Sequence, residues 1–579
     1  MKSASSPSPT EKLDTLAHAA LARMTGSLSP VSGLLAWQDW WAHLAISPGK
    51  QVELAQLAIT QTLALMHHLQ ERMLAPPGDA RRLVEPPALD RRFRDPEWRD
   101  WPFHLWHQAF LLNQAWWDAA TRDVKGVTPH HQKEVAFWAR QWLDVFSPGN
   151  HLLTNPVVLR QTLAEGGANL VRGARHLVED LAAIASGRSP VPAEGFVVGK
   201  DLAVTPGEVI LRNRVMELIQ YRPATATVHP EPVLIVPAWI MKYYILDLSP
   251  HNSLVKYLVE NGYTVFCISW KNPGEAERDL GMEDYLDEGF RTALDAVNAV
   301  CPKARVHATG YCLGGTLLAI AAAAMARDGD DRLASATFFA AQTDFSEPGE
   351  LGLFIDESQV RMLEAQMELT GYLRANQMAG AFQMLRSYDL LWSRMVNEYL
   401  RGERTPVFDL MAWNADATRM PARMHSQYLR RLLLNDDLSE GRYPVDGRPV
   451  SLGSLRLPIF MVGTTTDHVA PWRSVHKLHY LCPAEITFVL TSGGHNAGIV
   501  NPPSPDSRRR YQILRRDAGG AYIAPDEWLE AAPTHAGSWW PAWQQWLAAR
   551  SGRKTKPPAI GAPDYPPIEK APGRYVLER

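Results

Sequence analysis

Gly310-Tyr311-Cys312-Leu313-Gly314 places a nucleophile between two glycines in the spacing G-x-C-x-G. This is the nucleophile-elbow pattern G-x-S-x-G with sulfur in place of oxygen. Glycine on each side lets the chain take a strained turn and lets strand and helix approach closely, so the central side chain stands above the sheet. A helix starting directly after it offers unpaired N–H groups and a positive dipole end, which favour a thiolate and a developing oxyanion. Chance matches to this spacing number about 0.02 per chain of this composition, so coincidence is a weak explanation. The alternative is a buried cysteine in an ordinary βα unit, since free cysteine commonly serves as a small core hydrophobe.

A cysteine nucleophile needs a base and an orienting acid, which in elbow proteins follow in chain order on loops after late strands. Two stretches answer that need. Thr464-Thr465-Thr466-Asp467-His468-Val469-Ala470-Pro471-Trp472 follows the apolar run at Leu457, and Ser492-Gly493-Gly494-His495-Asn496-Ala497-Gly498 follows the one at Glu485. Small residues around His495 let its imidazole reach across the sheet, and Asp467 would fix its tautomer and stabilise its charged form. Read blandly, Asp467 is a helix N-cap before Pro471 and His495 a loop histidine. His468 competes as the base, but its place beside the acid assigns it to a supporting position behind the reacting groups. An oxyanion site requires one N–H after the nucleophile, which is Leu313, and one from the loop after an earlier strand, Pro237-Ala238-Trp239-Ile240, where Trp239 is the preferred donor.

The elements that would position these residues are legible as changes of texture. Residues 1–30 are rich in Ser and Pro and are expected to be a disordered tail. Residues 31–195 are expected to form an α-helical N-terminal domain. Val52, Ala55, Ile59, Leu63, Met66, Leu69 and Met73 recur at three- and four-residue steps, and further helical patterns run over Phe103–Ala120, His131–Phe146 and Val157–Ile184. From about residue 196 to 579, short β-rich runs alternate with amphipathic helices, the mark of an α/β domain with a parallel sheet. Strands are expected at Pro232–Pro237, Thr264–Ser269, Val306–Thr309, Ser335–Ala340, Leu457–Gly463 and Glu485–Leu490. Residues 341–455 are far longer than an ordinary connection and read as a cap insertion over Cys312. Its methionines, Met362, Met367, Met378, Met384, Met395, Met411, Met420 and Met424, suit either an adaptable apolar surface or a helical core.

Composition narrows the class. With 46% apolar and 21% charged residues in 579, the chain describes a globular protein of two or three domains. A net charge of −3 argues against bulk nucleic-acid binding. Cys267, Cys301, Cys312 and Cys482 have no paired spacing, so neither a disulfide framework nor a structural metal site is expected, and a reducing cytoplasm is the natural setting. The first residues lack the apolar core of a signal peptide, and no later run could span a bilayer, so no integral membrane segment is expected. Twenty tryptophans point to large apolar cores or to surfaces that meet something greasy.

Several stretches carry a resemblance. Val236–Pro273, GYCLGGT (Gly310–Thr316), FDLMAWNADAT (Phe408–Thr418), DHVAPW (Asp467–Trp472), SGGHNAGIVNPP (Ser492–Pro503), GSWWPAW (Gly537–Trp543) and APGRYV (Ala571–Val576) are similar to polyhydroxyalkanoate (poly-3-hydroxybutyrate) synthases of the single-subunit class I/II type. The resemblance runs from about Asp90 onward. It implies an α/β-hydrolase fold with a large cap insertion, preceded by an α-helical N-terminal domain. It also implies polymerisation of (R)-3-hydroxyacyl-CoA into an intracellular polyester with release of coenzyme A, through a covalent acyl-Cys312 thioester. His495 would deprotonate the thiol and later a 3-hydroxyl, with Asp467 orienting it, and Leu313 and Trp239 would hold the oxyanion. Coenzyme A enters as part of the substrate and no separate cofactor is implied. Arg386 and Arg394 are candidate phosphate partners. The implied partners are the polyester granule surface and a second copy in a homodimer, and the implied location is the cytoplasm, on granules. A cysteine thioesterase or hydrolase acting on the same thioesters and a non-catalytic granule-coat protein are the alternatives.

Overall fold

A computed structural model describes residues 8–74, 81–87, 90–186, 195–375, 377 and 391–579. The chain divides into two compact units. The larger holds Met1–Ser27, Pro192–Met378 and Val407–Arg579, and the smaller holds Leu28–Val191 and Ala379–Pro406.

The chain's first described element departs from the expected disordered tail. Helix α1 (Pro9–Met24) begins with a capping box in which Ser8 and Glu11 satisfy each other's backbone N–H groups, with Pro9 at the first turn. Those signals were masked by the Ser/Pro-rich composition around them. Ala19 and Ala22 are fully buried, and the segment is tied to a helix of the same unit, Glu357–Thr370: Thr15 Oγ1 donates to Glu368 at 3.3 Å and Gln359 Nε2 to the Ser27 carbonyl at 2.6 Å.

The smaller unit is helical: α2 (Pro30–Ala45), α3 (Pro48–Leu74), α4 (Phe103–Thr121), α5 (Pro129–Val145), α6 (Pro156–Ala164) and α7 (Ala168–Ala185). The starts of α2, α5 and α6 share one device. Ser29, Thr128 or Asn155 accepts from the first free N–H groups, and a proline follows at the first helical position where its missing N–H costs nothing. The helical pattern over Val157–Ile184 is broken into α6 and α7, because Gly166 (φ 57°) and Gly167 (φ 85°) adopt the left-handed conformation. The periodic residues of α3 form a helix, but Val52, Ile59, Leu63 and Met66 stand exposed rather than buried. Phe93, Trp98, Phe110, Leu111 and Leu143 form a core beside which the Arg92 guanidinium is buried, 2.6 Å from both Asp90 and Asp144 and 4.9 Å from the Phe110 ring.

Part of the expected cap belongs to this helical unit. Residues 391–406 lie along α7: Asn169 Nδ2 donates to the Leu400 carbonyl at 2.8 Å, and Arg394, Tyr399 and Arg404 all converge on Asp180 at 2.8 Å. Gly173 permits this approach, since a Cβ there would lie 1.9 Å from the Tyr399 carbonyl oxygen. Arg394 is therefore engaged in an ion pair, and Arg386, Met378 and Met384 lie outside the described residues.

The larger unit is built on one sheet of eleven strands. In chain order these are β1 (Gly207–Arg212), β2 (Met216–Tyr221), β3 (Val233–Val236), β4 (Val265–Trp270), β5 (Val306–Tyr311), β6 (Leu333–Phe339), β7 (Ile459–Thr464), β8 (Ile486–Thr491), β9 (Arg510–Arg516), β10 (Thr534–Ala536) and β11 (Glu569–Lys570). Their spatial order is β10-β9-β8-β7-β6-β5-β3-β4-β2-β1-β11. The six from β4 to β8 are mutually parallel, and the flanking pairs are antiparallel. The six parallel strands coincide with the six apolar runs read from the sequence. The antiparallel wings lack such runs for two reasons: β9 is mostly part-exposed and β10 fully exposed, while β2, buried throughout, is interrupted by Glu217 and Gln220. Of the insertion's methionines, Met362, Met367, Met420 and Met424 are buried, so they serve as core. Among the described residues no helix is long and apolar enough to cross a membrane.

Replacing Arg92 by Leu strips the guanidinium from two buried carboxylates. It is expected to destabilise the helical unit by about 3–5 kcal/mol, read as a lowered urea midpoint of the helical signal.

Candidate active site

The site forms where the order of strands reverses. The chain leaves β3, adds β4 on one side, then crosses back so that β5 lies on the other side of β3, with Val236 opposite Gly310. Such a switch point opens a crevice outside the carboxyl ends of the strands. Cys312 stands there, between β5 and helix α8 (Leu313–Asp328), at φ 52° and ψ −125°. The strained conformation thus falls on the cysteine itself, while the glycines act through space. A Cβ on Gly314 would lie 2.1 Å from the Val236 carbonyl oxygen, one on Gly310 2.3 Å from the Gly315 Cα, and one on Gly315 2.4 Å from the Ala341 Cβ. The Cys312 N–H donates to the Phe339 carbonyl at 2.9 Å, and its own carbonyl accepts from Gly315 and Thr316. The N–H groups of Leu313 and Gly314, at the first turn of α8, have no acceptor within the helix.

Asp467 follows β7, and both of its oxygens are engaged. Oδ1 accepts from the N–H groups of Val469 (2.9 Å) and Ala470 (2.8 Å), while Oδ2 accepts from Thr464 Oγ1 (3.1 Å) and faces His495 Nδ1 at 2.8 Å. It does not cap the helix Trp472–His476, whose N-cap is Pro471. With Nδ1 turned to the carboxylate, the imidazole lies close enough to the Cys312 side chain for the two to interact electrostatically. Burial alone would push the His495 pKa down, but the charges of Asp467 and Cys312 and the bonds to them outweigh it and raise it well above the ordinary histidine value. Burial would likewise raise the Asp467 pKa, but the His495 charge and the donated hydrogen bonds outweigh it and lower the carboxyl. The other cysteines sit in the core, where burial raises their thiols, Cys301 to about 12.

The loop carrying His495 is pinned from several sides. Thr466 N–H donates to the Gly493 carbonyl at 3.0 Å, and the indoles of Trp539 and Trp540 donate to the carbonyls of Gly498 (3.0 Å) and Ile499 (2.9 Å). Ser538 Oγ donates to the Asn501 carbonyl. The GSWWPAW stretch therefore holds the histidine loop, a role that its sequence, some forty residues downstream, does not reveal. His468 is held through its backbone: its carbonyl accepts from the Glu350 N–H at 3.1 Å, where Gly349 (φ 72°) brings the chain close. Trp239 is buried on the loop after β3, its carbonyl accepts from Thr418 Oγ1 at 3.2 Å, and its ring lies 5.7 Å from that of Tyr285. From the insertion, Tyr428 is buried, which raises its phenol, and it lies near enough to Cys312 for a smaller electrostatic contribution from that residue. Cys312 is itself 9% exposed, so its side chain is buried.

The two shifts define a pH window. His495, raised, contributes stability below its ordinary value and loses it as pH rises through the folded pKa. Asp467, lowered, contributes above its ordinary value and loses it as pH falls through the folded one. Asp467→Asn is therefore expected to lower the thermal midpoint most between these limits, and to move loss of the His495 proton to lower pH, read from labelled-histidine NMR shifts.

Comparison with known proteins bears on this site. Residues 89–258 match the family described as poly-beta-hydroxybutyrate polymerase (PhaC) N-terminus, residues 8–50 match poly-beta-hydroxybutyrate polymerase N terminal, and residues 231–502 match the alpha/beta hydrolase fold. The poly(3-hydroxyalkanoate) polymerase of Methylorubrum extorquens is 44% identical over 498 residues, covering 85% of this chain and 82% of that one. The poly(3-hydroxyalkanoate) polymerase subunit PhaC of Rhizobium meliloti (strain 1021) is 40% identical over 580 residues, covering 98% and 91%. The corresponding subunit of Cupriavidus necator is 35% identical over 551 residues, covering 93% and 90%. The likeness extends upstream of Asp90, beyond the motifs that carry the resemblance in the sequence.

Proposed function

Because the chain belongs to the poly(3-hydroxyalkanoate) polymerases, we propose that it polymerises (R)-3-hydroxyacyl-CoA into polyester through an acyl-Cys312 thioester. The observation that carries the reading is the strained Cys312 facing an imidazole whose far nitrogen is held 2.8 Å from a buried carboxylate. His495 takes the thiol proton as Cys312 Sγ attacks the thioester carbonyl. The oxyanion is received by the Leu313 N–H at the start of α8 and the Trp239 N–H across the switch point. Collapse breaks the bond to the coenzyme A sulfur, which leaves with the proton from His495. The new thioester keeps the acyl group activated at little free-energy cost. In the second half, His495 removes the proton from a 3-hydroxyl, whose oxygen attacks the acyl carbon. An ester forms, the bond between the acyl carbon and Cys312 Sγ breaks, and His495 returns the proton to the departing sulfur. Asp467 keeps the imidazole in the correct tautomer and stabilises its charge in both halves. His468 supports the turn that carries Asp467. Coenzyme A is part of the substrate, and neither cofactor nor metal enters the steps.

Covering of Cys312 by the insertion serves this chemistry by keeping water from the acyl-enzyme, and the cover must move to admit substrate. The remaining partners of the reading are the surface of the growing polyester in the cytoplasm and a second copy of the chain. Exposed apolar residues support both: Ile59 and Leu63 on α3 for the former, and Leu369 and Phe408 on the insertion for the latter.

With 3-hydroxybutyryl-CoA, the purified protein is expected to release one free thiol for each unit found in insoluble polymer. Cys312→Ala is expected to lower both by about a thousandfold or more. Thiol release with soluble hydroxy acid and no polymer would make this a thioesterase, and polyester binding without turnover would make it a coat protein. Sedimentation at assay concentration is expected to give a dimer mass, and a fully active monomer would remove that part of the reading.

A further inference from the structure

The elbow and the histidine loop leave the sheet from β5 and β8, which are separated by β6 and β7. Three strand spacings amount to about 14 Å, so the contact between Cys312 and His495 depends on how the loop is drawn back across the sheet. Asp467 ties the loop to the end of β7, and Trp539 and Trp540 tie it to the C-terminal helix that they open. One further bond ties it directly to the nucleophile strand. Tyr311, the residue before Cys312, donates its O–H to Asn496 Oδ1, the residue after His495, at 2.5 Å. The Tyr311 ring lies 5.6 Å from the imidazole of His495. Asn496 is anchored in turn, because its carbonyl accepts from the N–H groups of Ile499 (3.0 Å) and Val500 (2.9 Å), opening the turn that the two indoles close.

We infer that Tyr311 and Asn496 form a positioning pair that fixes the distance between the thiol and its base by bonding the neighbour of one to the neighbour of the other. The inference rests on the reading of Cys312 and His495 as nucleophile and base. Burial, aided by the charges of Cys312 and Asp467, raises the phenol well above its ordinary value, so Tyr311 stays a donor while the imidazole changes charge. Neither side chain is assigned a contact with substrate. Their effect passes through His495, which must meet two partners in succession, first the thiol and then an incoming hydroxyl. A loop held only from Asp467 and the tryptophans could swing about those points as the load on Cys312 changes, and a bond at the nucleophile side removes that freedom.

The test uses the full chain carrying Tyr311→Phe, Asn496→Ala and both together. Tyr311→Phe keeps the ring on the imidazole and the packing of β5, removing only the donor. Each single variant is expected to lower kcat for 3-hydroxybutyryl-CoA about tenfold with KM within about twofold, and to slow iodoacetamide alkylation of Cys312 at neutral pH by a similar factor. The double variant is expected to be no slower than the singles, because they break one bond. Losses that multiply in the double variant, or a fall in kcat with an unchanged pH–rate profile of alkylation, would overturn the pairing. Alkylation, located by peptide mass, needs no turnover. Failure of the polymerase reading, seen as persistent turnover in Cys312→Ala, is thus distinguishable from failure of this one.

Discussion

The structure depends on how closely helix α8 approaches the ends of β3 and β5. With a virtual Cβ of Gly314 only 2.1 Å from the Val236 carbonyl oxygen, no side chain fits between helix and strand, so the start of the helix is pressed onto the sheet. That closeness forces the turn to be completed within one residue, and the residue that takes the left-handed conformation is Cys312. Strain at a non-glycine residue persists only where the surroundings over-determine it, and here they do: Gly310, Gly314 and Gly315 each have a neighbour closer than any Cβ would allow. The thiol is thereby raised above the sheet, and the free N–H groups of the first turn of α8 lie beside it.

Everything else in the site compensates for distance. His495 and Asp467 come from strands away from the elbow, and each is fixed by groups that have no other evident task. Backbone N–H groups of Val469 and Ala470 satisfy the carboxylate oxygen that His495 does not use, which keeps a buried charge from being left unpaired. Indole N–H groups satisfy carbonyls in the turn after the histidine, where the irregular backbone offers them no ladder. The result is a polar constellation in a buried setting, where each unmade bond would be costly and the geometry is correspondingly narrow.

The insertion after β6 serves two units. Its outer portion, 407 onward, packs with the sheet unit and sets Tyr428 near Cys312, with Met420 and Met424 as core. Its middle portion is bound to α7 through the three side chains that gather on Asp180. A single stretch of sequence thus contributes to both units. The N-terminal helix adds a contact of the same kind within the sheet unit, since α1 lies against Glu357–Thr370.

The sequence by itself determined the parallel centre of the sheet and the chain order of cysteine, acid and histidine. Most strands at the parallel centre are predominantly apolar and need no partner to be recognised, and the elbow is a local pattern whose glycines answer local crowding. It also determined the helices of the smaller unit, though not their burial: the period of α3 is plain, while the exposure of Ile59 and Leu63 depends on what lies opposite. Only the tertiary structure decided the rest. The exposed strands β9 and β10 are defined by the partners they hydrogen-bond, Trp539 and Trp540 by carbonyls some forty residues away, and residues 391–406 by an aspartate more than two hundred residues upstream. Each of these is a pairing between segments remote in the chain, and a one-dimensional pattern carries no record of which remote groups will meet. Tyr311 and Asn496 are the sharpest case: each stood beside a residue already singled out, and only the fold brought their side chains to 2.5 Å.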